Sequence, residues 1–262
     1  MKTTKKFYGI ALTLTYGLAA TLEGQNLYVA TDGNGAYGAG TIGEYTTSGS
    51  PLNTSLISGL TNPFGVAISG NDLFVANWGS DTIGEYTTSG VTINASLITG
   101  LHGPEGIAIS GNDLFVANYG NGTIGEYTTS GATVNASLIS TAVAPVEMAI
   151  SGNDLFTDNG SFTTVGEYTT SGATANASLI SGFNGPTGIA ISGNDLFVAV
   201  WNGFTPGAGT IGEYTTSGAT VNASLISGLE RPIGIAIGPV PEPSAGALAG
   251  LGAAALWLWR RK

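Results

Sequence analysis

Cysteine is absent from the 262 residues, histidine occurs once, and positive charge is almost confined to the two ends. Without thiols there is no disulfide and no thiolate chemistry. The lone histidine, together with the lack of any G-x-S-x-G or H-E-x-x-H run, removes the usual signatures of nucleophilic and zinc catalysis. Only 9% of residues are charged, against about 25% in a typical soluble domain. Lys2, Lys5 and Lys6 open the chain, and Arg260, Arg261 and Lys262 close it. Between Thr21 and Pro243 stand all 17 acids and one base, Arg231, so the body carries −16 while the whole chain carries −10. A surface of that sign repels phosphate backbones, which excludes nucleic acid and favours cations or basic surfaces as partners.

The ends have a composition of their own. Residues 1–20 combine a lysine-rich start, the apolar stretch FYGIALTLTYGLAA and the small-residue exit Leu18-Ala19-Ala20. That is the layout of an export signal; the alternative is a first pair of β-strands, since YGIAL echoes the later FGVAI.

What the body has in abundance is repetition. SGNDLF recurs with its Asp at 72, 113, 154 and 195, and GEYTTSG with its Glu at 44, 85, 126, 167 and 213. Each unit divides into four short runs of β character separated by Gly, Asn and Ser turns: a (GIAIS), b (DLFVAN), c (TIGEYTT) and d (NASLIS). Run b is apolar on both faces, as a strand packed between two sheets must be. Four-stranded units of about 40 residues that cannot bury both faces alone point to a β-propeller, with a solenoid as the alternative. The first copy starts at run b, Asn26–Ala30, and the last is followed by an orphan run a, Pro232–Gly238. Joining the orphan to the first copy completes a fifth blade and removes the open edges. The expectation is therefore an all-β, five-bladed propeller of four-stranded blades over residues 25–238. Its motif PxGIAISGNDLFVAN resembles the NHL-repeat family, which implies a propeller with a binding surface and no particular reaction. That family is commonly six-bladed, so five blades is a departure.

In such a ring the b–c and d–a connections share one face. The first and last b–c loops are longer than the others: Leu27 to Tyr45 and Leu196 to Tyr214 each span 18 positions, against 13 elsewhere. Ring closure makes their blades neighbours. The loops then form a lip carrying Asp32, Asn34, Tyr37, Trp201, Asn202 and Phe204, with Trp78, Tyr119, Asp158, His102, Glu105, Glu147 and Arg231 on the same face. Aromatics among Asn and Asp suit stacking and hydrogen bonding to a sugar or a protein surface; unselected drift of loops is the alternative. Asp32, Tyr37, Trp78, Tyr119, Asp158, Trp201, Phe204 and Arg231 are the candidate ligand face.

Other motifs read as structural. The five Glu of run c lie far from the axis and from one another, and the Gly-Asn-Asp turns cap themselves. DGNGAYGAG lacks calcium-loop spacing. Asn-X-Ser at Asn53, Asn94, Asn135, Asn176 and Asn222 repeats with the unit. Metal-dependent lactonases and streptogramin lyases are propellers resembling this one. Run a supplies the channel wall, however, and it is apolar apart from Glu147, so neither a metal nor a cofactor is expected, and no catalytic residue.

The tail is distinctive. Ala245–Trp259 is 15 uncharged residues, about 22 Å as a helix and short of the roughly 30 Å hydrocarbon core. Val240, Pro241, Glu242, Pro243 and Ser244, then the apolar stretch, then Arg260, Arg261 and Lys262, resemble the PEP-CTERM sorting signal of Gram-negative bacteria. That family implies recognition of the Pro-Glu-Pro segment by an exosortase, removal of the tail, and delivery to the cell surface or extracellular polymer matrix. The alternative is a plain C-terminal anchor. The expectation is an exported, non-enzymatic interaction protein with residues 1–20 as signal and 239–262 as a sorting segment with a membrane helix. Transient anchoring and exopolysaccharide or surface-protein partners follow. A saccharide- or small-ligand-binding propeller and a lactonase- or lyase-like enzyme are the rival readings.

Overall fold

The computed structural model describes residues 26–31, 40–46, 50–141, 144–159, 163–203, 205, 207–229 and 232. The expected export signal, the sorting segment and the run a expected at Ile233–Gly238 lie outside them. The fold is a five-bladed β-propeller, each blade an antiparallel meander in chain order. The first blade holds β1 (Asn26–Thr31), β2 (Gly40–Thr46) and β3 (Pro51–Leu60). The second holds β4 (Pro63–Ser69), β5 (Asp72–Asn77), β6 (Thr82–Thr87) and β7 (Thr92–Ile98). The third holds β8 (Pro104–Ser110), β9 (Asp113–Asn118), β10 (Thr123–Thr128) and β11 (Thr133–Ser140). The fourth holds β12 (Pro145–Ser151), β13 (Asp154–Asn159), β14 (Thr164–Thr169) and β15 (Thr174–Ser181). The fifth holds β16 (Pro186–Ser192), β17 (Asp195–Val200), β18 (Gly209–Thr215) and β19 (Thr220–Leu229).

Strands of type a are innermost and pack in series, β4 on β8, β8 on β12 and β12 on β16. Strand b explains why DLFVAN is apolar throughout. In β5, Leu73 and Val75 pack into the layer shared with the first blade, beside Ile42, Ile57 and Tyr86. Phe74 and Ala76 point the other way, into the layer shared with the third blade, beside Leu114, Val116 and Tyr127. β9 repeats this, sending Phe115 and Ala117 towards Leu155 and Tyr168. Phe74, Phe115 and Phe156 are each 1% exposed; burying one such side chain contributes about 1.5–3 kcal/mol.

The repeated turns have local causes. In the four described TTSG turns the first Thr Oγ1 accepts from the N–H four residues on, at 3.0 Å from Val91, Ala132, Ala173 and Ala219. Asn-X-Ser in strand d is also structural. At all five copies the Asn Oδ1 accepts from the Ser N–H at 3.1 Å, a side-chain-closed turn. The c–d register shifts at that point in each blade, and the bulge throws the following leucine sideways. Leu56, Leu97, Leu138 and Leu179 then lie against Gly90, Gly131, Gly172 and Gly218 of the next blade, glycines held at φ of +86 to +89. A side chain there would collide with the leucine as well as strain the backbone.

Pro232 sits against Gly209 in the way that Pro63, the first residue of β4, sits against Gly40. Thr187 Oγ1 donates to Pro232 O at 2.6 Å. Pro232 therefore stands where a further strand a would begin. Leu27 and Ile226 mark the same junction from both sides. They are 42% and 46% exposed, whereas Leu73, Leu114, Leu155 and Leu196 are 0% and Ile57, Ile98, Ile139 and Ile180 at most 6%. The strand that the repeat order assigns between them lies outside the described residues. If that strand completes the first blade, Ile235→Asp lowers the thermal midpoint about as much as Ile107→Asp does. An unchanged midpoint for Ile235→Asp, measured by circular dichroism, contradicts closure.

Candidate functional site

The face carrying the b–c and d–a connections is built by a repeated pair of backbone bonds. The residue after strand b donates its N–H to the d–a loop leading into its own blade. Trp78 donates to Asn62 O at 3.0 Å, Tyr119 to Gly103 O at 3.1 Å and Trp201 to Gly185 O at 2.8 Å. The next residue donates one position further back, Gly79 to Thr61 O, Gly120 to His102 O and Asn202 to Asn184 O. Three aromatics thus occupy one equivalent position in the second, third and fifth blades. Trp78 and Tyr119 are exposed and Trp201 is half-buried. The Trp78 indole lies over Gly103, where a Cβ would come within 2.8 Å of its Nε1. Asp81 fastens the same loop, its Oδ1 accepting from the Gly103 N–H at 2.7 Å.

Of the remaining expected face residues, His102 is exposed on its loop, while Asp32, Tyr37, Phe204 and Arg231 lie outside the described residues. Asp158 is a correction. The sequence places it at the start of a b–c loop, yet it is the penultimate residue of β13 and 1% exposed. Opposite it the register of β12 slips between Pro145 and Met148. That bulge presents two N–H groups, and Asp158 Oδ1 accepts both, from Val146 at 2.9 Å and Glu147 at 3.0 Å. Its Oδ2 is buried without a hydrogen-bond partner.

Two further carboxylates stand beside it. Glu105 on β8 and Glu147 on β12 are both half-buried. A Cβ on Gly106 would lie 3.2 Å from Glu147 Oε2, so the Glu147 carboxylate rests against β8 at the residue after Glu105, whose charge it feels. Burial, and then the charge of Asp158, pushes Glu105 up to about 7 and Glu147 to about 8; a hydrogen bond from the Met148 backbone holds Glu147 back in part. Burial pushes Asp158 to about 7 against the pull of its backbone donors. Groups so close titrate together. No three His, Asp or Glu among the described residues converge to hold a metal ion.

This cluster was only half visible in the sequence. Run a reads as apolar with Glu147 a single interruption, and its neighbours were scattered among loops. A comparison between blades picks it out. Glu147 stands where the second, third and fifth blades have Gly65, Gly106 and Gly188. Thr157 replaces Val75, Val116 and Val198, and Asp158 replaces Ala76, Ala117 and Ala199. Thr157 Oγ1 donates to Glu147 O at 2.9 Å. Three polar departures in one blade meet at one buried point.

The five Glu of strand c stay apart on separate blades. Glu85, Glu126 and Glu167 are raised by burial and then by Asp72, Asp113 and Asp154 respectively, and Glu44 accepts from Asn26 Nδ2 at 2.6 Å.

Comparison with known proteins separates the tail from the body. Residues 239–262 match the PEP-CTERM protein-sorting motif. Among curated proteins, no sequence matches the chain. Among solved structures the body is similar to propellers. A nidogen–laminin complex matches with a TM-score of 0.60 at 18% identity, covering 71% of this chain and 72% of that one. A streptogramin B lyase matches at 0.58 and 23%, covering 76% and 66%. Hydrazine synthase of Kuenenia stuttgartiensis matches at 0.54 and 17%, covering 67% of this chain and 52% of that one, so the chain spans about half of it. At these identities the likeness shows the fold alone.

The raised carboxylates set a pH dependence with a definite sign. From the ordinary carboxyl range, 3.8 to 4.5, up to about 8, the folded state keeps protons that the unfolded chain has lost. Stability therefore falls as pH rises through that window, by about 1.4 kcal/mol per pH unit for each proton of difference. Glu147→Gln mimics the protonated form. Its thermal midpoint should match the parent at the acid end of the window and exceed it above the alkaline end. A constant difference at both ends would remove the buried-carboxylate account.

Proposed function

We propose that the chain is an exported propeller, sorted by an exosortase to the cell surface or extracellular matrix of a Gram-negative bacterium, where it acts as a non-enzymatic interaction protein. The single observation carrying this is the match of residues 239–262 to the PEP-CTERM protein-sorting motif, placed directly after a propeller body. Physical chemistry supports the reading. Prolines at 241 and 243 keep the peptide around Glu242 extended and open to an enzyme. The apolar stretch and its basic end would hold the tail at the membrane with the charge on the cytoplasmic side. No helix among the described residues is long and apolar enough to cross a membrane, and Ala245–Trp259 lies outside them.

The interaction role is supported by the aromatic positions at Trp78, Tyr119 and Trp201, offered from rigid strand ends on one face. The likeness to a lyase is a likeness of fold and brings no reaction with it. The experiment is localisation of the protein in its host with and without exosortase. With the enzyme it should be recovered from the surface or matrix fraction, and without it from the inner membrane. Identical distribution in both strains contradicts the proposal.

A further inference from the structure

We infer that Glu105, Glu147 and Asp158 form a binding site for a primary ammonium group, reached from the face that carries the aromatic positions. Cost is the first argument. Burying carboxylates without a counter-charge opposes folding, and the frame of this protein shows the apolar solution in three sister blades. Glycine, valine and alanine fill these places in the second, third and fifth blades, whereas the fourth spends stability on Glu147, Thr157 and Asp158. The second argument is valence. Asp158 is 1% exposed and its Oδ1 is saturated by two backbone N–H groups, yet its Oδ2 has no partner. No Lys or Arg occurs among the described residues, so none of them supplies a counter-charge.

Glu147 Oε2 lies against Gly106 of β8, the residue after Glu105, and no group of acids holding a metal ion is found among the described residues. An ammonium head carries three N–H donors and no acceptor, and the carboxylate oxygen left without a partner at Asp158 accepts such a donor. Glu105 and Glu147 are half-buried and so partly open to solvent. A primary ammonium group occurs on de-N-acetylated amino sugars and on free polyamines. Binding here gives a ligand chemistry to the interaction role proposed above, and it can be measured whether or not the sorting proposal survives.

The test is titration calorimetry on the purified full chain near neutral pH, using tetraglucosamine, its N-acetylated counterpart, spermidine and calcium as probes. The decisive variant restores the sister-blade residues with Glu147→Gly, Thr157→Val and Asp158→Ala together. It should fold with an equal or higher thermal midpoint, because it copies the neighbouring blades. Expected is saturable one-to-one binding of an ammonium probe, weakened at least about tenfold in the variant (~1.4 kcal/mol). Glu126→Gln, elsewhere in the third blade, should leave it unchanged. Preference for tetraglucosamine over spermidine assigns the ammonium to a saccharide, the reverse preference to a polyamine; the N-acetylated tetramer should not bind. Equal binding by parent and variant would mean that the general negative charge attracts the probe, and overturns the site. So would stoichiometric calcium with no amine binding. Amine binding that appears only in Arg231→Gln would show that the chain supplies its own counter-charge, which also overturns it.

Discussion

Strand b carries this architecture because each of its two faces belongs to a different interface. Its Leu and Val side chains complete the layer with the preceding blade, and its Phe and Ala side chains complete the layer with the following one. No blade can bury both faces by itself, so stability is a property of neighbours. Around each shared layer the other repeated features serve the same contact. The Asn-X-Ser bulge turns a leucine onto the next blade, and the glycine beneath it leaves room. The proline opening each strand a is buried. It leads the chain from the outermost strand back to the axis.

A frame so regular makes its exceptions readable. The b–c loops differ between blades in length and sequence. The differences at Glu147, Thr157 and Asp158 are of another kind, since they put charge and hydroxyl into positions that are apolar elsewhere. Burial raises the protonation range of all three carboxylates into the neutral region. The fourth blade therefore couples its stability to pH in a way that the apolar equivalents in its neighbours do not.

Much of this was legible from residues alone. The five-fold count, the order a to d and the shared burial of DLFVAN all follow from the repeat, because identical segments must solve identical packing problems. Strand ends were less legible. Asp158 reads as the start of a loop beside Asn159 and Gly160, and nothing local shows that β13 continues because a bulge in β12 supplies two N–H groups to its carboxylate. Asn-X-Ser reads as structural because it repeats with the unit, but its role, the Asn Oδ1 closing its own turn, shows only in the fold. In both cases side chains satisfy the backbone of a register shift, and single-strand periodicity carries no trace of those.

The proposed function joins the two basic ends and the acidic body: it assigns export to the first and sorting to the last, which matches the PEP-CTERM motif, and leaves the propeller between them as the part that works outside the cell. The most direct test is the intact mass of the protein recovered from the cell surface or matrix of its host. The account predicts a chain that begins beyond the apolar leader and has lost Arg260, Arg261 and Lys262. A surface-recovered chain still carrying those three residues would contradict it.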